Sequence, residues 1–220
     1  MTTHKQDTDN LIKTLCNDAS PVSCLCPYRS VIKWIIVALP ISLLAIGWFG
    51  FRPDMGTVAS NLLWDTRVVT SLMTGITAAL AAFWTGIPGL PRKFLLTPFV
   101  FLGIWLLSLI GSAIVHAQEA GENIAFTYEN SPTCFTAMTF YAIPLVIAMY
   151  YFLKRFRTTS PAETSGLMGL SVFSFCAGMW EFHDHGATPY VQLYWHFGTV
   201  IFYTVAFYLF GRYLFKWSTA

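Results

Sequence analysis

Residues 31–51 read VIKWIIVALPISLLAIGWFGF and carry a single charge, Lys33. A helix that crosses a bilayer needs about 20 predominantly apolar residues. This stretch therefore predicts a transmembrane helix. Pro40 lies inside it, and membrane helices tolerate proline because neighbouring groups satisfy the freed backbone, so a kink is expected there rather than a break. Working outward, five more stretches meet the same length: 68–88, 94–115, 134–153, 165–182 and 189–214, with Pro144 inside the fourth span. The predicted fold is all-α: a polytopic membrane protein with a six-helix transmembrane domain over 31–217, preceded by a segment 1–30.

Composition agrees. Of 220 residues, 55% are hydrophobic, 17% aromatic and only 11% charged, whereas a soluble domain carries about a quarter charged residues. The net charge of +2 gives no ground for a nucleic-acid partner. The first thirty residues hold Asp7, Asp9 and Asp18 and no continuous apolar run, so no cleavable signal is expected. Five cysteines in two groups do not make a disulfide framework.

Orientation follows from lysine and arginine. Arg29, Lys33, Arg92, Lys93, Lys154, Arg155, Arg157, Arg212 and Lys216 fall on one side if six spans alternate. The other side receives Arg52 and Arg67 with Glu119, Glu122, Glu129 and Asp184. The basic side is predicted to be cytoplasmic, with both termini on it. Trp34 and Trp217 are expected at inner span ends and Trp48, Trp180 and Trp195 at outer ends, where indole favours the headgroup level. Val58, Leu62, Leu63 and Trp64 are expected along the outer interface. Ser71, Gly75, Ala78, Ala82 and Gly86 form a small-residue row on span two, which suits close helix packing.

Ahead of the first span lies TDNLIKTLCNDASPV, Thr8 to Val22. Asp9 or Asn10 can cap a short helix that carries Leu11, Ile12 and Leu15 on one face, and Pro21 ends it. About three turns are marginal alone in water, so the stripe calls for something to lie against. Cys16, Cys24 and Cys26 sit nearby; without neighbouring histidines they read as small apolar or interfacial residues.

The most unusual stretch is MWEFHDHGATPY, Met179 to Tyr190. Glu181, His183, Asp184 and His185 crowd one outer loop. Gln192, His196, Thr199 and Tyr203 share a face of span six, which should point into the bundle because lipid cannot satisfy it. Ser108, Ser112 and His116 make a similar stripe on span three. Cys176, Trp180 and His183 share a face at the end of span five, and Cys134 opens span four on the same side. Three readings compete. The residues satisfy one another at a wet bundle mouth; or Cys134, Cys176, His183, Asp184, His185 and His196 form a sensor for an unidentified metal ion or an oxidant; or the site belongs to a membrane oxidoreductase or haem protein, with His116 and His196 as axial ligands. No phosphate-binding, dinucleotide-binding or nucleophile-elbow motif is present, and no symmetric halves suggest a transporter.

Several pieces together resemble a known family: TDNLIKTL, PV before the first span, ALP within it, FRPDM after it, IPG after span two, Cys134 opening span four, a histidine after span five, then WHFG and GRYLFKW. Their order is similar to that of the negative regulator of sigma F family, six-span bacterial anti-sigma factors. The resemblance covers nearly the whole chain. It implies a protein without catalytic residues or a resident cofactor, whose cytoplasmic N-terminal segment holds an extracytoplasmic-function sigma factor at the bacterial inner membrane. Asp9, Leu11, Ile12 and Leu15 would then be the binding residues, in the manner of a helix laid in a groove. It also implies a cysteine directly after the histidine of the loop following span five, paired in function with the one matching Cys134 and linked to oxidant or heavy-metal response. That position is Asp184 here. Cys176 lies about 10 Å of helix earlier, beyond the roughly 7 Å between Cα atoms that a disulfide spans. The departure points instead to metal or proton sensing by His183, Asp184 and His185.

Overall fold

The computed structural model describes residues 11–16, 26–87, 89, 92–120, 132–156, 158, 160–183 and 188–215. A short helix, α1, covers 11–16. Then follow α2 (Pro27–Phe49), α3 (Met55–Val58), α4 (Leu62–Trp84), a 3₁₀ turn (Arg92–Leu96), α5 (Thr97–Ala120), α6 (Pro132–Leu153), α7 (Pro161–Trp180), α8 (Pro189–Val191), a π-helical segment (Gln192–Phe197) and α9 (Gly198–Leu214). No strand occurs among the described residues. The six long helices form a bundle, and Pro40 and Pro144 lie within α2 and α6 as expected.

Five of the described helices are long and apolar enough to cross a membrane: Pro27–Phe49, Leu62–Trp84, Lys93–Glu119, Cys134–Leu153 and Pro189–Leu214. The expected fifth span, now α7, is not among them. Its position explains its composition. Every residue from Thr164 to Trp180 is buried, with α4 and α9 packed most extensively against it. A helix enclosed by protein need not be greasy, and α7 carries Thr164, Ser165, Ser171 and Ser174 together with three glycines. With 20 residues it has the length of a span, about 30 Å at 1.5 Å per residue.

Small residues set the spacing around α7. A Cβ on Gly75 of α4 would stand 3.0 Å from the Phe175 backbone nitrogen and 3.0 Å from the Ser171 carbonyl oxygen. The Ser171 hydroxyl donates to the Gly75 carbonyl at 2.8 Å. On the other flank Gly169 faces Phe207 and the Tyr203 carbonyl, and Gly211 of α9 sits against the Pro161 carbonyl. The small-residue row of span two therefore does what was expected of it, and α7 and α9 repeat the device. Lipid offers no hydrophobic drive between helices, so close backbone approach is a main source of association. The Thr85 and Thr164 hydroxyls, 2.6 Å apart, join α4 and α7 near their other ends.

Two boundary expectations need correction. The second long helix begins at Leu62, six residues before the expected start of span two. The Asn61 side chain accepts the Leu63 N–H, and Asp65 sits in the first turn, where the helix dipole favours a carboxylate. Leu62, Leu63 and Trp64 thus form the first turn of a long helix, in which Leu62 is exposed and Trp64 is buried. Trp34 is not at the membrane interface either. With α2 starting at Pro27, Trp34 lies about 10 Å inside the helix, is wholly buried, and packs edge-on against Phe175 with ring centroids 5.3 Å apart. Trp48, by contrast, is 87% exposed.

Candidate functional site

Two regions hold the sequence-predicted residues. In α1, Leu11, Ile12 and Leu15 are 60%, 52% and 61% exposed. Six helical residues carry three large apolar side chains that no other described residue covers. Asp9 and the remainder of 8–22 lie outside the described residues.

The second region is the end of the bundle that carries Arg52, Arg67 and Glu181. Here α2 and α7 are tied together just beyond their last turns. Arg52 N–H donates to the Phe182 carbonyl at 3.0 Å, and His183 Nδ1 lies 2.7 Å from the Gly50 carbonyl oxygen. A carbonyl only accepts, so that nitrogen carries the proton. The rings of Phe49, Trp180 and His183 pack around the tie, with centroids 4.8 Å apart for Trp180 and His183 and 5.4 Å for Phe49 and His183. The shared face of Trp180 and His183 is real, and loop 50–52 is what covers it. Gly50 stands at φ 97°, in the region glycine favours, and so lets the chain turn there.

Cys176 is fully buried within α7, and Cys134 is half-buried near the start of α6. Asp184 and His185 lie outside the described residues. The predicted stripe on span six faces inward: Gln192, His196 and Thr199 are 2%, 1% and 2% exposed. Tyr203 stacks flat on Phe173, with centroids 4.0 Å apart. The stripe begins in the π-helical segment, which a 3.6-residue periodicity does not anticipate. Such segments re-aim side chains and occur often at functional positions.

The stripe on α5 also faces the protein. Ser108 and Ser112 are buried, and their hydroxyls donate to the Trp105 and Ser108 carbonyls of their own helix, which removes the cost of an unmet polar group. His116 packs edge-on to Tyr190 at 6.0 Å. The histidines are thus held in separate settings: His183 under the loop, His116 beside Tyr190, His196 inside the bundle. Among the described residues no group of three or more His, Cys, Asp or Glu side chains is placed to hold a metal ion.

One pair escaped the sequence reading. Arg67 Nη2 lies 3.5 Å from Glu181 Oε2, with side chains 9% and 4% exposed. Gln192 Nε2 donates to the same carboxylate at 3.3 Å, so one cluster joins α4, the end of α7 and the π-helical segment. Arg67 fell one residue outside the expected second span, and so was counted only as a loop charge. An arginine less than a turn from an apolar run is the signal that was available.

The fold and these sites define a class: a polytopic helical membrane protein with polar groups gathered at one end of its bundle and a separate short helix with an uncovered apolar face. Residues 15–217 match the model of the family described as negative regulator of sigma F, and the chain belongs to that family. The match begins at Leu15, so Leu11 and Ile12 precede it. No curated protein and no solved structure matches the chain.

Proposed function

We propose that this protein is an anti-sigma factor that acts by sequestration and is not an enzyme. Its partner is an extracytoplasmic-function sigma factor, held at the bacterial inner membrane by the segment 1–30, with both termini cytoplasmic. The observation that carries the reading is the apolar face of α1. Leu11, Ile12 and Leu15 are each more than half exposed, and a helix this short needs a partner to persist. Family membership names sigma F as the kind of target, and a groove on a sigma factor supplies the missing surface. The concentration of lysine and arginine in the connections on the α1 side supports the orientation.

Release follows a signal received at the opposite face, an envelope stress sensed as a metal ion, a proton or an oxidant at His183, Asp184 and His185. Helix α7 is suited to carry it. It is enclosed along its length, ends at the tie to Gly50, and begins where Gly211 and Thr85 grip its first turns. A shift at one end of so closely packed a helix is felt at the other, because packed cores are bistable rather than soft.

The test is co-purification of the tagged full-length protein with each extracytoplasmic-function sigma factor of its host, expressed one at a time. Burying one leucine stabilises a complex by about 1.5–3 kcal/mol, and charge in an apolar groove costs more. Leu11→Asp with Leu15→Asp should therefore weaken capture by more than about a hundredfold. Equal capture by wild type and double variant would remove the reading.

A further inference from the structure

At the Arg67 end of the bundle a cleft of about 230 Å³ opens between the start of α4, the end of α5 and the start of the last span. Arg52, Arg67, His116, Glu119 and Gln192 are among its lining side chains, with Trp64, Leu63 and Val115 as apolar walls. It is smaller than the roughly 300–1,000 Å³ of drug-sized ligand clefts, a size for a small molecule, and most of its lining is polar.

Two groups in it are poorly served by the protein. Arg67 is nine-tenths buried, yet its carboxylate partner stands at 3.5 Å, against about 2.7–2.9 Å for a strong charged hydrogen bond. Its Nε, itself closed to solvent, has no hydrogen-bond partner among the described residues. A guanidinium removed from water with one long contact is costly. Glu119, one turn from His116 on α5, is exposed and makes neither of the ion pairs found among the described residues. Arg52 is already neutralised by Asp54, at 2.6 and 3.1 Å. Among the described residues, therefore, a buried cation with one long charged contact and an exposed carboxylate outside both ion pairs share the lining of one cleft. An anion alone would meet the repulsion of Glu119 and Glu181. A cation alone would leave Arg67 as it is. A ligand carrying both signs can meet both, since Arg67 and Glu119 line the same cleft.

We propose that this cleft binds a small zwitterion, its oxyanion at Arg67 and its primary ammonium at Glu119 with His116 beside it. Phosphoethanolamine has this chemistry, either as a free molecule or as the headgroup of a membrane lipid, and the cleft opens at the end of the bundle where headgroups lie. The proposal stands apart from sigma-factor binding, since it uses none of the residues of α1.

The experiment is calorimetric titration of the full-length protein in phosphatidylglycerol nanodiscs with phosphoethanolamine, and separately with ethanolamine and with inorganic phosphate. Saturable binding of phosphoethanolamine is expected, with ethanolamine and phosphate each at least about tenfold weaker, the worth of one charged hydrogen bond. Glu119→Gln and Arg67→Lys should each weaken it by a similar factor. Glu119 is exposed, so its variant reports even where Arg67→Lys folds poorly. Repeating the titration in phosphatidylethanolamine nanodiscs separates the sources: loss of the signal assigns the cleft to the lipid headgroup, and an unchanged signal assigns it to a free zwitterion. No saturable binding in phosphatidylglycerol, ethanolamine binding as well as phosphoethanolamine, or indifference to Glu119→Gln overturns the proposal.

Discussion

Replacing Gly75 by alanine tests how α4 and α7 are held together. Helix propensity alone predicts a gain of about 0.8–1 kcal/mol, because glycine is the costlier residue in a helix interior. The structure predicts the opposite sign. The new Cβ would sit 3.0 Å from the Phe175 nitrogen, 3.0 Å from the Phe175 Cβ and 3.0 Å from the Ser171 carbonyl oxygen. Two of these are backbone atoms of an enclosed helix, so no side chain can swing away. Overpacking of this kind costs about 1–3 kcal/mol. Separating the helices also weakens the Ser171 to Gly75 hydrogen bond of 2.8 Å, worth about 0.6 kcal/mol in a membrane protein. The balance is a net loss of about 0.6–2.8 kcal/mol. At about 2–4 °C per kcal/mol for a chain of this size, the melting midpoint falls by roughly 1–11 °C. Gly103→Ala is the control, since nothing lies within 4 Å of a Cβ there and Gly103 is inside α5. It should leave the midpoint unchanged or raise it. Thermal unfolding of both variants in one detergent, followed by tryptophan fluorescence, makes the comparison. Equal shifts for Gly75→Ala and Gly103→Ala would show that backbone approach does not set the α4–α7 distance.

Three further outcomes follow from named contacts. Glu181→Ala leaves the buried Arg67 without its counter-charge and should cost about 3–5 kcal/mol, while Arg67→Met combined with Glu181→Leu should recover most of the thermal midpoint. Trp34→Ala empties a fully buried site against Phe175 and should cost about 3–5 kcal/mol, with Trp34→Phe costing clearly less in the same melt. His183→Ala removes the 2.7 Å contact to the Gly50 carbonyl, so amide exchange at 50–52 should quicken while α4 stays protected; combined with His185→Ala it should also blunt induction of the regulon by its signal, and an intact response would make the loop purely structural.

The two cysteines show where spacing along the chain stops being informative. Cys176 and Cys134 were placed near one membrane face by span counting, and they do sit toward the same end of α7 and α6. What counting left open is that Cys176 is fully enclosed while Cys134 is half-buried. The histidines repeat the lesson. His116, His183 and His196 share an end of the bundle but not a setting, because the facing partner of each comes from a different part of the chain: Tyr190, Gly50 and the bundle interior. The Arg67–Glu181 pair was legible only as two charges, since 114 positions of sequence separate them.

Apolar run length, the bias of lysine and arginine, and the row of small residues on span two are local properties that answer to lipid directly, so the sequence by itself determined an all-helical membrane bundle, near-correct spans and an N-terminal helix with an unmet apolar face. The ordering of the helices around α7 was a tertiary decision. A helix surrounded by protein exchanges lipid for neighbours, and its serines and glycines then satisfy packing and hydrogen bonding that only the neighbours define. For that reason the one long described helix not apolar enough to count as a span stands at the centre, and the cleft beside Arg67 appears only when α4, α5 and the final span are brought together.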